Sequence, residues 1–175
     1  MPPRILLTSF TTWLPHHKSN SSDDLIAKIH ELYLTNSDLK LPLLTVLRKL
    51  PVDTEQASNY VNSKITEIQP TAIICCGMAE SRSQLTVESH ATCGDVVMRS
   101  PIDLEQLIAE LSMTQISHDA GKFVCEGLYF AVLNHITTQK LNTNCLFVHV
   151  PILTDENIQQ VTKDFILIIQ KMALL

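Results

Sequence analysis

Thr71-Ala72-Ile73-Ile74-Cys75-Cys76-Gly77 is apolar almost throughout and closes on a glycine. A strand with one wet face alternates polar and apolar residues; a strand covered on both faces does not. The run therefore predicts an interior strand of a parallel sheet. Working outward, short apolar runs alternate with amphipathic stretches, the pattern of strands joined by crossover helices. Upstream lie a first strand near Arg4–Phe10, a polar loop over 11–22, a helix near Asp23–Tyr33, a strand over Leu41–Leu47 and a helix over Thr54–Ile68. Serines and Asp23-Asp24 suit the start of the first helix, as caps and as charges at its positive end.

Downstream, Leu85–Ser89 alternates and reads as a short edge or hairpin strand, with Val96–Met98 as its partner. A helix over Leu104–Leu111, a strand over Gln115–Ser117, a helix over Gly121–Thr138 and a strand over Asn144–Val150 follow. The last helix is expected over Asp155–Leu174, with Asp155 and Glu156 in its first turn. Its Phe165-Ile166-Leu167-Ile168-Ile169 is apolar nearly all round, which predicts packing against the sheet and a second surface. The fold class expected is α/β: a three-layer α/β/α sandwich with a mostly parallel central sheet, formed by residues 1–175 as one domain.

The 175 residues are 45% apolar, enough for a substantial core, yet no apolar run reaches the roughly 18 residues that span a bilayer. A net charge of −5 offers no electrostatic footprint for nucleic acid. The five cysteines are an odd number, several within strand-like runs, which predicts reduced thiols and a cytoplasmic location rather than a disulfide framework. No pair has the CxxC spacing of a zinc or redox site, so no metal is expected.

Chemistry concentrates in Ser117-His118-Asp119-Ala120-Gly121-Lys122-Phe123-Val124-Cys125-Glu126. The Asp-Ala-Gly turn throws the chain from strand to helix and leaves Cys125 in the first or second turn. There the positive end of the helix favours a thiolate, the attacking form of cysteine. Read blandly, Cys125 is a small hydrophobe on a buried helix face. His149, in Leu146-Phe147-Val148-His149-Val150-Pro151, sits at the carboxyl end of a strand, where open α/β sheets gather reactive groups. The bland alternative is a satisfied core histidine. Glu88 lies on a strand of Leu, Thr and Val; on an edge it is merely solvated, and turned inward it needs a cationic partner such as an imidazolium. The other histidines, His16 and His17 in the first loop among them, carry weaker signals.

These segments, taken in order, resemble the pyroglutamyl-peptidase I (pyrrolidone-carboxylate peptidase) family of cysteine peptidases. Leu7-Thr8-Ser9-Phe10-Thr11-Thr12-Trp13 is similar to the family's first strand and loop, and Leu50-Pro51-Val52 to the end of its second strand. Gly77 to Ala91 resembles the glutamate signature, Ser117 to Glu126 the cysteine signature, and Phe147 to Pro151 the histidine strand. The cysteine signature is the most specific. The resemblance implies a Cys125 nucleophile, a His149 base and a Glu88 that orients it, with no cofactor. It further implies that Arg82 lies near the nucleophile, that Phe10 and Trp13 sandwich the substrate ring, and that Asn20 matches the loop's asparagine. The implied substrate is a peptide blocked by an N-terminal pyroglutamyl group, and the implied assembly a homo-oligomer.

The chain also departs from that pattern. Ser9 replaces a glycine, and Leu14-Pro15 replaces a Gly-Gly pair, so the loop must follow another path. Glu80 stands where a small residue or proline is usual, Ser89 replaces a basic residue, Cys93 replaces an asparagine, and the stretch from Glu88 to Cys125 is shortened. Two further readings stay open on the sequence: a non-catalytic α/β binding or scaffolding domain, and an amidase for small non-peptide amides.

Overall fold

The computed structural model of the protein describes residues 2–175. Its elements run β1 (Arg4–Phe10), α1 (Ser21–Thr35), β2 (Leu43–Leu50), α2 (Thr54–Ile68), β3 (Ala72–Met78), β4 (Leu85–Glu88), β5 (His90–Cys93), β6 (Val96–Arg99), α3 (Leu104–Ile108), β7 (Thr114–Ser117), α4 (Val124–Thr138), β8 (Asn144–Val150) and α5 (Ile158–Met172). Six strands form one sheet in the order β2-β1-β3-β8-β4-β7. β1, β2, β3 and β8 are mutually parallel; β4 runs antiparallel to β8 and parallel to β7. The expected α/β sandwich with a mostly parallel sheet is what the chain forms.

Side-chain alternation builds the three layers. On one face Ile5, Leu7, Ile74, Cys76, Val87, Leu146 and Val148 pack under α1, α3 and α5. On the other, Leu6, Ile73, Cys75, Cys145 and Phe147 pack under α2 and α4. The central strands β3 and β8 are buried on both faces, which is why they read as unbroken apolar runs. The second cluster carries the chemistry. Because successive strand residues alternate, Glu88, Thr86 and His149 share the α4 face with Phe147.

Several sequence expectations need correction. β4 is no edge strand: it lies between β8 and β7, and all four of its residues are buried. Val96–Arg99 pairs not with β4 but with His90–Cys93, in a separate two-stranded hairpin turned at Gly94. That hairpin packs its Ala91 and Met98 against the α4 side of the core. α5 starts at Ile158, so Asp155 and Glu156 precede it and its first turn carries no acid. It is also more one-sided than its sequence suggested: Phe165, Ile168 and Ile169 are fully buried, while Ile166 and Leu167 are half-buried.

β2 contains an irregularity. Thr8 pairs with Leu47 but Phe10 pairs with Leu50, so β2 carries one extra residue. Lys49 absorbs it at φ 57. The bulge returns Leu50 to the α2/α4 core and aims Arg48 at α1, where its guanidinium grips Asp23 in a two-pronged pair at 2.8 and 2.9 Å. Asp23 also accepts from Ser9 Oγ at 2.7 Å. Burial alone raises that carboxyl, yet the Arg48 and Ser9 hydrogen bonds outweigh it and hold Asp23 below the usual range.

Candidate active site

Three elements converge at the carboxyl ends of β3 and β8. The turn before α4 is made by Gly121 at φ 88, whose N–H donates to Asp119 Oδ1 at 2.9 Å. Glycine takes this backbone without the Cβ penalty other residues meet. α4 then begins at Val124, later than the sequence suggested, which puts Cys125 second in the helix. Its N-cap, Phe123, makes no side-chain hydrogen bond, so no cap consumes the free first-turn N–H groups.

Cys125 sits against the sheet at its one glycine. Gly77 is the β3 residue directly opposite His149 on β8, and its bare Cα leaves the room the sulfur uses. A Cβ there would come 2.5 Å from Cys125 Sγ and 3.1 Å from the Phe147 ring. Sequence reading passed over Gly77; the signal was a small residue ending the most strand-like run in the chain.

His149 is buried, packed at a tilt against Phe147 with ring centroids 4.9 Å apart. Its Nδ1 meets Glu88 Oε1 at 2.6 Å. Glu88, fully buried, faces inward with a cationic partner in Arg82 and His149 beside it, which answers the question its strand posed. Arg82 Nη1 donates to Glu88 Oε1 at 2.8 Å and to Thr86 Oγ1, while its Nη2 donates to the Asp119 carbonyl at 2.6 Å. Arg82 thus ties the carboxylate to the turn that launches Cys125. Tyr129 on α4 donates its hydroxyl to the Glu88 carbonyl at 3.2 Å. Everything gathers on Oε1; Glu88 Oε2 is buried with no partner among the described residues.

A cavity of about 240 Å³ joins these groups to the first loop. Phe10, Trp13, Asn20, Met78, Phe123, Cys125 and His149 line it. Trp13 packs on Phe123 with centroids 4.9 Å apart, and Phe10 is a buried core residue at the end of β1. Asn20 lines the wall while already serving the fold: its Oδ1 caps α1 at Ser22 and its Nδ2 donates to the Thr11 carbonyl at 3.1 Å. Arg82 and Glu88 are the two candidates outside the lining; Glu88 reaches the cavity only through His149. A larger hollow of about 400 Å³ lies between α3 and the C-terminus, but its lining of Ile102, Leu107, Leu174 and neighbours holds no cysteine, serine or histidine.

Electrostatics correct one expectation. Burial pushes the Cys125 thiol up to about 12, the Glu88 carboxylate and Cys75 add to the rise, and only Arg82 opposes it. The thiol at this helix start is therefore protonated at neutral pH, not a standing thiolate. Ionising it needs a base beside it, and His149 shares the cavity.

Known proteins resemble this chain in sequence and in fold. A family model described as "Pyroglutamyl peptidase" matches residues 102–173. The pyrrolidone-carboxylate peptidase of Oceanobacillus iheyensis is 25% identical over 173 residues, covering 85% of this chain and 83% of that one. That of Brachyspira hyodysenteriae is 25% identical over 194 residues, covering 93% and 92%. The chain is similar in sequence to pyroglutamyl peptidases. Solved structures agree on the fold. The pyroglutamyl peptidase I of Bacillus amyloliquefaciens superposes with a TM-score of 0.83 at 18% identity, over 100% of this chain and 97% of that one. The Thermococcus litoralis pyrrolidone carboxyl peptidase gives 0.80 at 19%, over 98% and 93%. Among the described residues, no helix is long and apolar enough to cross a membrane.

Proposed function

We propose that this protein is a cysteine peptidase that removes an N-terminal pyroglutamyl group from peptides. The observation that carries the reading is the Glu88–His149 pair opening onto the cavity that also holds Cys125 and the aromatic wall of Phe10, Trp13 and Phe123. Its relatives' names supply the acyl group.

The chemistry runs in two halves. Glu88 accepts from His149 Nδ1, which fixes the tautomer and leaves Nε2 as the base nitrogen. His149 takes the Cys125 proton as sulfur attacks the acyl carbonyl, so the thiolate forms at the moment it is used. The imidazolium formed is balanced by Glu88, itself held by Arg82. The uncapped N–H groups at the start of α4 stabilise the tetrahedral oxyanion. The intermediate collapses to a thioester as His149 protonates the departing amine. Water, deprotonated by His149, then releases the acid and restores the thiol. Arg82 acts on Glu88 and the Asp119 turn rather than on the substrate.

The aromatic wall suits a flat, uncharged lactam ring better than a protonated amino terminus, which finds no carboxylate among the lining residues. The location that fits five unpaired cysteines, three of them buried, is the cytoplasm. The test is a panel of fluorogenic amides. Hydrolysis of the pyroglutamyl amide at a kcat/KM well above the prolyl and alanyl amides supports this specificity; an equal or reversed preference removes it.

A further inference from the structure

The first loop carries chemistry of its own. His16 and His17 close a tight turn in which the His17 N–H donates to the Leu14 carbonyl at 3.0 Å. Their rings meet at a centroid separation of 4.4 Å. Glu80, just past the end of β3, reaches into the same spot: Oε1 contacts His17 Nε2 and lies 3.9 Å from His16 Nε2. One donor atom from each residue falls within 4.8 Å of the others. The His17 side chain is only 5% exposed, and its Nδ1 is buried without a hydrogen-bond partner among the described residues, which leaves that ring's environment incomplete. Sequence spacing could not reveal this cluster, because Glu80 lies 63 residues from His17.

We propose that His16, His17 and Glu80 form a binding site for a divalent transition-metal ion, Zn²⁺ by donor chemistry, that fastens the Trp13 loop to the end of β3. Two imidazoles and one carboxylate are a borderline-soft donor set, suited to Zn²⁺ rather than to Mg²⁺ or Ca²⁺, with a fourth position left for water. The site lies outside the Cys125 cavity but touches its wall. The Trp13 ring packs edge-on to His17 at 6.0 Å and lines the cavity. An ion holding His17 to Glu80 thereby holds Trp13 in place over the acyl pocket. This inference stands on the loop's own geometry and is independent of the reaction proposed for Cys125.

The experiment uses the full chain with Cys93→Ser and Cys125→Ala, which removes the exposed thiol and the cavity thiol as competing zinc ligands. Zn²⁺ is titrated calorimetrically and by the emission of Trp13, the chain's one tryptophan. The expected result is one Zn²⁺ per chain with a change in Trp13 emission, and no response to Mg²⁺. His16→Ala and Glu80→Gln, at side chains 65% and 43% exposed, each weaken binding by roughly 10-fold or more. Absence of zinc binding, binding that survives both substitutions unchanged, or binding that leaves Trp13 emission unaltered overturns the proposal.

Discussion

Two buried carboxylates, each paired with an arginine, stand on opposite sides of the sheet and behave differently. Asp23 uses both oxygens: Arg48 takes one each with Nε and Nη2, and Ser9 adds a third bond. All its demands are met by donors that hold no exchangeable role, and its job is to pin α1 against the β2 bulge. Glu88 crowds Arg82, Thr86 and His149 onto Oε1 and leaves Oε2 without a partner. Its unmet capacity is a cost that a purely structural carboxylate has no reason to carry. The contrast fits stability for the first and, on the proposed function, orientation of a base for the second, and each part can be broken separately.

The largest expected effect is on Glu88. Glu88→Gln keeps the volume but cannot hold His149 in the same tautomer or balance its charge, so kcat falls by roughly 10³-fold, equivalent to about 4 kcal/mol. Steady-state kinetics on a pyroglutamyl amide reads it, and an unchanged kcat ends the orienting role. Gly77→Ala comes next. The added methyl meets Cys125 Sγ and the Phe147 ring, neither on a freely yielding chain, so the sulfur moves and kcat drops up to ~100-fold while KM changes little. Asp23→Asn sharpens the comparison from the other side. It leaves Arg48 poorly partnered and costs about 2 kcal/mol, a fall in Tm of roughly 4–8 °C, while kcat holds. A loss of activity without a loss of Tm reverses the assignment of the two carboxylates.

The smallest effect is a pH profile. With its thiol pushed up to about 12, Cys125 of the free protein is alkylated by iodoacetamide at a rate that keeps rising through the alkaline range. A plateau already reached near pH 7 shows a standing thiolate and replaces base-assisted attack with a preformed ion pair.

The sequence made the frame legible wherever one local signal decided it. α2 and β8 lie at their expected bounds because periodicity and a long apolar run define them. Cys125, His149 and Glu88 could be named because each lies in a distinctive segment. What stayed hidden depended on pairing between distant residues. Leu85–Glu88 alternates like an edge strand, yet pairing with β8 and β7 buries it; four residues carry too little pattern to show two partners. The β5–β6 hairpin was signalled by Gly94-Asp95, a turn dipeptide, but Val96–Met98 was assigned to the wrong neighbour. The β2 bulge at Lys49 and the meeting of His16 and His17 with Glu80 left no local trace. The protonated state of Cys125 was misread because the helix start was visible in the sequence and the depth of burial was not.

The central claim is that acyl transfer passes through the sulfur of Cys125. Fluorophore release from a pyroglutamyl amide, measured for the wild type and for Cys125→Ala at equal concentration and with folding verified by circular dichroism, tests it most directly. The account predicts turnover by the wild type and none above background for the variant. Comparable release by both proteins, or by neither, contradicts it.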